Sequence, residues 1–561
     1  MRRLFFLLLR MTILFMTGCH KEPQTVEPTK ITTINTVEAV QGGFITTFTV
    51  SDHEIHIYQP EDIMHGDIIN YGYSAPLLLV FGDEKLDPQK AADFICSKGI
   101  DKTAQENGGF AVYVNPETTW DKEPYGIYEI IMAKTSVAQT GFSHGMLYDG
   151  KQREYWIFAS PGQTVVYGYG KGADYIAENY LKETSGTSSL SSLGIDDTTM
   201  TAAVLENLSC KPVINNRNII IVSVNNDDSI DKTASRQSDN YHVSNDSYDK
   251  IFDQYIDGYR RSGGRIVESF SRKKEGLKMT PYVFEVNTSE DNHSVHTSWY
   301  KVGAVVFAKE DSKPRPLVLC FHGGGDTAIL TSTIAGWDQI ACQENFILCA
   351  IEMHTKVTAT EVMQVVEQLK GIYNIDTTRM YATGFSMGGV KTWDLYQEYP
   401  EFFAALAPMG ATTEPGKNTQ FYDSPVLNED VMVPLFYNGG ESSQLGELPY
   451  QSQTVGNRVM YLFKVNRVEM PFELSVGSRS QWQDSIYGYK GDIVEELTDE
   501  SHPESVTTIR YYRSDDGNIY TALCSVSRHA HEIRLFTCQK AWEFMKQFRR
   551  NADGSISIIN N

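Results

Sequence analysis

Basic residues are scarce in this chain: 49 Lys and Arg stand against 71 Asp and Glu, a formal net charge of -22. A face that tracks a phosphate backbone needs clustered cations, so the composition argues against nucleic acid as a partner. Cysteine is thin as well, with eight residues scattered over 561 and no CxxC pair. Such spacing indicates neither a zinc site nor a dense disulfide framework, although one or two bridges stay open. No apolar run long enough to span a bilayer follows the first 16 residues. Disorder-prone composition is also missing, since 41% of the residues are hydrophobic and 11% aromatic. A chain of 561 residues exceeds the size at which one core keeps growing, which predicts two domains or one domain with large insertions.

What is present begins with a targeting signal. Arg2 and Arg3 precede an apolar run from Leu4 to Met16, broken by Arg10, that ends in Met16-Thr17-Gly18-Cys19. The pattern reads as a signal peptide and not as a fold element. A small residue directly before Cys resembles the bacterial lipoprotein signal, in which Cys19 becomes the lipidated first residue. Met16 in place of the usual Leu, and the charge of Arg10, keep an ordinary secretory signal as the alternative. Residues 1–19 are thus expected to be the signal. Residues 20–38, rich in Thr, Pro, Glu and Lys, are expected to tether the rest to the envelope membrane, outside the cytoplasm.

From about residue 280 strands alternate with helices. Strand-like Tyr282 to Val286, Lys301 to Ala308 and Leu317 to Phe321 lead into His322-Gly323-Gly324-Gly325. A helix-like segment to Asn345, a strand Phe346 to Ile351, and a helix carrying Val362, Val365, Val366 and Leu369 at helical spacing follow. Then Arg379 to Thr383 runs into Gly384-Phe385-Ser386-Met387-Gly388-Gly389. Later strands are Met432 to Tyr437 and Tyr520 to Val526, and a last helix covers about Thr537 to Phe548. Alternation of this kind predicts a mostly parallel sheet with helices on both faces.

The first half repeats the plan. Pro76 to Gly82 parallels Pro316 to His322, and Gln105-Glu106-Asn107 parallels Gln343-Glu344-Asn345, each before a strand. Tyr167 to Gly172 parallels Thr383 to Gly388, and Tyr259-Arg260-Arg261 parallels Phe548-Arg549-Arg550. Gln105 lies 24 residues past Phe81, and Gln343 lies 22 past Phe321. The repeat places Gly170 where the second copy has Ser386, and Gly82-Asp83-Glu84 where it has the glycine run. Two domains are expected, 39–270 without a nucleophile and 271–561 with one, joined in the polar segment Ser271 to Lys278.

Gly384-x-Ser386-x-Gly388 between a strand and a helix is the context of a nucleophile elbow, where small residues must flank a serine on a sharp turn. His322-Gly323-Gly324-Gly325 begins 64 residues upstream, at the end of an earlier strand. The expected oxyanion donors are the N–H of Met387 with one or two from Gly324 and Gly325. A serine hydroxyl needs a base, and the base an orienting carboxylate. Ser527 to Glu532 offers His531 and His529. His531 is favoured because it lies 17 residues before Phe548, as His242 lies 17 before Tyr259, and His529 is the alternative base. Glu441, after the strand Met432 to Tyr437, is the candidate acid, matched in the first half by Asp227 and Asp228; Glu447 and Asp484 stay open.

Pro316 to Gly325, Asp376 to Gly389 and the terminal Ala541 to Phe548 resemble the esterase family that includes polyhydroxybutyrate depolymerases and feruloyl or acetyl xylan esterases. The resemblance covers about 280–561, with its firmest part in the first half of that span. It implies an α/β-hydrolase fold for that span and a carboxylic ester hydrolase with a Ser-His-acid triad and an acyl-enzyme; with the repeat, the expectation is tandem α/β-hydrolase-like domains, the first degenerate. No cofactor or metal is needed for such a cycle. The family usually has Asp where Glu441 stands, and Gly where this chain has Ala530. An acylated glycan or a polyester would be the substrate, chosen by Thr412 to Glu429 and Ser442 to Ser505. A prolyl-oligopeptidase-like peptidase and a non-catalytic surface binding lipoprotein are the rival readings.

Overall fold

In the computed structural model the described residues run from 36 to 559, apart from 51–52, 61–73, 124–157, 183–199, 216–218, 263–264, 269, 287–299, 325–327, 353, 355–356, 418–426 and 471–473. Cys19, the expected signal and most of the expected tether, and Gly325, lie outside the described residues.

Segments rich in β-branched and aromatic residues form two large mixed sheets. The first contains β1 (Thr36–Val40), β2 (Gly43–Val50), β3 (His53–Pro60), β4 (Ser74–Phe81), β5 (Phe110–Val114), β6 (Phe158–Tyr169), β7 (Met200–Glu206), β8 (Ile220–Val224) and β9 (Tyr241–Ser244). Their order is β1-β2-β3-β5-β4-β6-β7-β8-β9. A hairpin of β10 (Tyr259–Ser262) and β11 (Arg265–Glu268) follows. The second sheet contains β12 (Lys278–Val286), β13 (Tyr300–Ala308), β14 (Arg315–Phe321), β15 (Ile347–Ile351), β16 (Ile375–Phe385), β17 (Ala405–Met409), β18 (Leu435–Gly440), β19 (Ile493–Asp499), β20 (His502–Arg513) and β21 (Ile519–Val526). Their order is β12-β13-β15-β14-β16-β17-β18-β21-β20-β19, and β22 (Phe548–Arg550) pairs with β23 (Ile556–Ile558) beyond it.

Strand for strand, β2-β3-β5-β4-β6-β7-β8-β9 has the order of β12-β13-β15-β14-β16-β17-β18-β21. Both series open with two antiparallel joins and continue with parallel ones. The chain is therefore a tandem α/β architecture. The first copy adds β1 at one edge, and the second adds the β19–β20 hairpin at the other.

Register fixes the equivalences. Phe81 pairs with Gly168 and Phe321 with Gly384, so Gly170 and Ser386 correspond. Carried across the sheet, the same register aligns Ser244 with Cys524, hence His242 with Ala522 inside a strand. This overturns the shared position expected for His242 and His531: His242 is stacked on Tyr255, whereas His531 lies in the loop after β21. Tyr259 opens β10 and Phe548 opens β22, each the first strand of a two-stranded hairpin, and Phe548 lies outside the last helix, which stops at Met545. The Phe548 carbonyl there accepts from the Tyr381 hydroxyl at 2.8 Å.

Helices α1 (Pro88–Ser97), α2 (Ile100–Glu106), α3 (Lys171–Asn179), α4 (Asp228–Ala234), α5 (Ala328–Ile334), α6 (Trp337–Glu344), α7 (Ala359–Ile372), α8 (Met387–Glu398), α9 (Gln453–Val465) and α10 (Leu535–Met545) connect the strands. In α7 the predicted stripe Val362, Val365, Val366 and Leu369 is buried, and Thr358 and Glu361 close a capping box at its start. One core cluster joins Leu79, Phe81, Trp120 and Ile176 of the first copy to Ile329, Trp337 and Trp542 of the second. Helix α5, which follows the glycine run, packs on β4 and β6 as well as on β14 and β15, so the copies share a layer. The seven described cysteines are free thiols, and among the described residues no helix is long and apolar enough to cross a membrane.

Candidate active site

Strand β16 ends at Phe385 and α8 begins at Met387, which leaves Ser386 alone on the turn, with φ 54° and ψ -116°. That backbone is sparsely populated for a residue with a side chain and costs about 1–3 kcal/mol. It is held by Ser386 N–H donating to the Met409 carbonyl at 2.9 Å and Val390 N–H donating to the Ser386 carbonyl at 3.0 Å. Gly388 lets α8 approach β14: a Cβ there would lie 2.0 Å from the Phe321 carbonyl oxygen.

The first copy keeps this turn without its hydroxyl. Gly170 has φ 57° and ψ -120°, its N–H donates to the Glu206 carbonyl at 2.9 Å, and a Cβ on Gly172 would lie 2.1 Å from the Phe81 oxygen. The Lys171 N–H, equivalent to that of Met387, donates to Asp83 Oδ1 at 2.7 Å. A carboxylate of the chain itself thus occupies the amide at this second elbow.

Around Ser386 the sheet brings together residues far apart in sequence. Ser386 Oγ and His531 Nε2 are 2.8 Å apart, and His531 Nδ1 lies 2.5 Å from Glu447 Oε1. A carboxylate only accepts, so Nδ1 carries the proton and Nε2 accepts the serine hydroxyl. The His531 ring stacks on Phe385, 4.6 Å between centroids. Glu447 is 2% exposed. Its Oε2 accepts the Gly440 N–H at 2.7 Å, its own carbonyl accepts the Tyr437 hydroxyl, and its N–H donates to Gln451. Gly323 and Gly324 lie beside the elbow: a Cβ on the first would stand 3.7 Å from Ser386 Cβ, and on the second 3.4 Å from Met387 Cγ.

These contacts correct the expected acid and place two of the alternatives outside the triad. Glu441 does not reach His531; its carboxylate accepts the Ser525 hydroxyl at 2.8 Å. The cause is the length of β18, which runs to Gly440 paired with Val526, so that Glu441 leaves the strand end beside β21. Asp484 is likewise elsewhere, paired with Arg510. His529 is fully buried and turned from Ser386: its Nε2–H donates to the Glu532 carbonyl, and Nδ1 lies 3.1 Å from Glu532 Oε1. Burial, aided by the Arg534 charge, holds the His529 pKa below its ordinary value. A sequence signal for Glu447 did exist. Gly439-Gly440 at a strand end marks a close approach, and a Cβ on Gly439 would lie 3.2 Å from Glu447 Cβ.

The segment Ser442 to Ser505, expected to choose the substrate, contains α9 and β19. Arg458 of α9 is buried; its Nε donates to the Thr413 carbonyl at 3.0 Å and its Nη2 to the Glu414 carbonyl at 2.9 Å. It thereby anchors the loop that leaves β17 beside His531.

No protein-family profile matches the chain. A bifunctional acetylxylan esterase/xylanase of Neocallimastix patriciarum is 28% identical over 142 residues, 23% of this chain. The chain spans about a fifth of that relative's length, 21%. Among solved structures, an acetyl xylan esterase from Aspergillus awamori is 11% identical with a TM-score of 0.31, covering 47% of this chain and 99% of its own. A putative dipeptidyl aminopeptidase IV from Bacteroides ovatus is 12% identical with a TM-score of 0.30, covering 51% of this chain and 38% of its own.

Proposed function

We propose that the second copy is a serine esterase that cleaves carboxylic esters through Ser386, His531 and Glu447. The observation that carries the reading is the unbroken hydrogen-bond chain of these three side chains, with the serine on a strained elbow. Ser386 Oγ attacks the ester carbonyl while its proton passes to His531 Nε2, and Glu447 stabilises the imidazolium. The tetrahedral oxygen faces the N–H groups of Met387 and Gly324. Collapse expels the alcohol, which takes the proton back from His531, and water then releases the acid from the acyl-enzyme by the same route.

The similarity to an acetylxylan esterase/xylanase supports an acylated glycan as substrate. The sequence at Gly18-Cys19 supports export with a lipid anchor at Cys19, and the first copy, with Gly170 at its elbow, acts as a non-catalytic domain. Fluorophosphonate labelling and p-nitrophenyl acetate hydrolysis by the full chain, beside Ser386→Ala, test the chemistry. Both are expected in the wild type and lost in the variant; absence of both from folded wild-type protein rejects the esterase. Incorporation of labelled palmitate, lost in Cys19→Ala, tests the anchor.

A further inference from the structure

The glycine run that faces Ser386 rests on a buried cluster that the hydrolytic cycle does not use. His322, Glu352 and His354 are 3%, 1% and 0% exposed, the first at the end of β14 and the others just past β15. The His322 and His354 rings meet edge to face, 4.5 Å between centroids, and Glu352 Oε2 lies 3.6 Å from His322 Nε2.

Two hydrogen bonds give this cluster a direction. His354 Nε2 lies 2.6 Å from the His322 carbonyl oxygen, and His322 Nδ1 lies 2.7 Å from the Gly323 carbonyl oxygen. A carbonyl only accepts, so His354 Nε2 and His322 Nδ1 each carry a proton. In a trans peptide the N–H points opposite to the C=O of the same unit. Pinning the carbonyls of residues 322 and 323 inward therefore turns the N–H groups of Gly323 and Gly324 away from the histidines. Both glycines stand beside the elbow, a Cβ on Gly323 reaching 3.7 Å from Ser386 Cβ and one on Gly324 reaching 3.4 Å from Met387 Cγ.

We propose that His354, with His322 and the adjoining Glu352, is a positioning group that aims the amides of Gly323 and Gly324 at the oxyanion of the acyl-transfer step. The proposal rests on the esterase reading of Ser386. Glycine has the widest backbone freedom of any residue, so two glycines in sequence hold one peptide orientation only if something outside them does. The first copy agrees with this: His322 and Gly323 are replaced there by Gly82 and Asp83, and the elbow amide is engaged by the Asp83 side chain.

The test uses the full chain with His354→Leu, His354→Gln and His354→Asn, read with p-nitrophenyl acetate, thermal melting and amide hydrogen exchange of the peptide spanning 320–325. A glutamine can present its amide N–H near the Nε2 position, whereas an asparagine is too short. His354→Leu is expected to lower kcat about 10- to 100-fold with KM changed less than about threefold, as loss of oxyanion donors does. His354→Gln is expected to recover most of that loss and His354→Asn little, with faster exchange in the glycine run of the Leu and Asn variants. Wild-type kcat in His354→Leu overturns the proposal. So does an equal loss in all three variants that follows their melting temperatures, since that marks a purely structural histidine. Failure of the esterase reading is separate, because it shows as unlabelled, inactive wild-type protein whatever residue stands at 354.

Discussion

Replacing Glu447 by Gln tests the assignment of the acid, and its effect can be worked from the contacts. The carboxylate sits between two donors, Gly440 N–H at 2.7 Å on Oε2 and His531 Nδ1 at 2.5 Å on Oε1. A glutamine has one oxygen and one NH2. The Gly440 amide cannot do other than donate, so it takes the oxygen, and the NH2 turns to His531. Nδ1 must then accept, the ring proton moves to Nε2, and Nε2 can no longer receive the Ser386 proton. A histidine locked in the wrong tautomer with its geometry intact lowers kcat about 10³- to 10⁴-fold, which corresponds to about 4–5.5 kcal/mol of barrier. Glu441→Gln keeps an acceptor for the Ser525 hydroxyl and is expected to change kcat less than about threefold. Ester turnover with active-site titration by a phosphonate, on proteins of matched melting temperature, measures both. Wild-type kcat within tenfold in Glu447→Gln, or an equal fall in Glu441→Gln, refutes the assignment.

Gly388→Ala should destabilise by about 3 kcal/mol, read by urea melts, because its Cβ would meet a backbone oxygen at 2.0 Å that cannot move aside. Gly371→Ala, in α7 with open space around it, is expected to be neutral or to stabilise by up to about 1 kcal/mol. Gly170→Ser in a Ser386→Ala background should restore neither labelling nor turnover, since Asp83 Oδ1 lies 2.3 Å from the new Cβ position. Burial lowers the pKa of His56, of His242 and of His529, each from an ordinary 6.5. The unfolded chain then binds protons that the folded chain refuses, so stability is full above about pH 6.5 and falls as pH drops toward the lowered values. Melting between pH 8 and 5 measures this, and His56→Gln should flatten the slope.

The elbow, the alternation of strands with helices and the tandem plan were legible because each depends on local patterns: glycines that flank a serine, apolar runs before glycine loops, and their recurrence. His531 was reached through a spacing that the strand register does not support, since His242 aligns with Ala522. The acid was harder for a physical reason. A carboxylate on a loop is placed by what fixes the loop, and Glu447 is fixed by Tyr437 and Gln451 on either side of it in sequence. Glu441 is nearer the strand and therefore the more obvious choice. Arg458 lay in a stretch without strong alternation, and its importance comes from long-range contacts to Thr413 and Glu414 that no local period records.

The two elbows share one frame and differ in what each turn holds. In the second copy a serine is held at positive φ, and the first amides of α8 have no partner within the helix. Both features are unfavourable in the absence of substrate. In the first copy glycine removes the backbone strain, and Asp83 satisfies the Lys171 amide. The frame of the first copy also serves the second, because β6, which runs into the Gly170 elbow, and β4 beside it cover α5 of the second copy. Helix α5 follows the glycine run beside Ser386, so the copy without a serine at its elbow bounds the layer from which that glycine run of the second copy emerges.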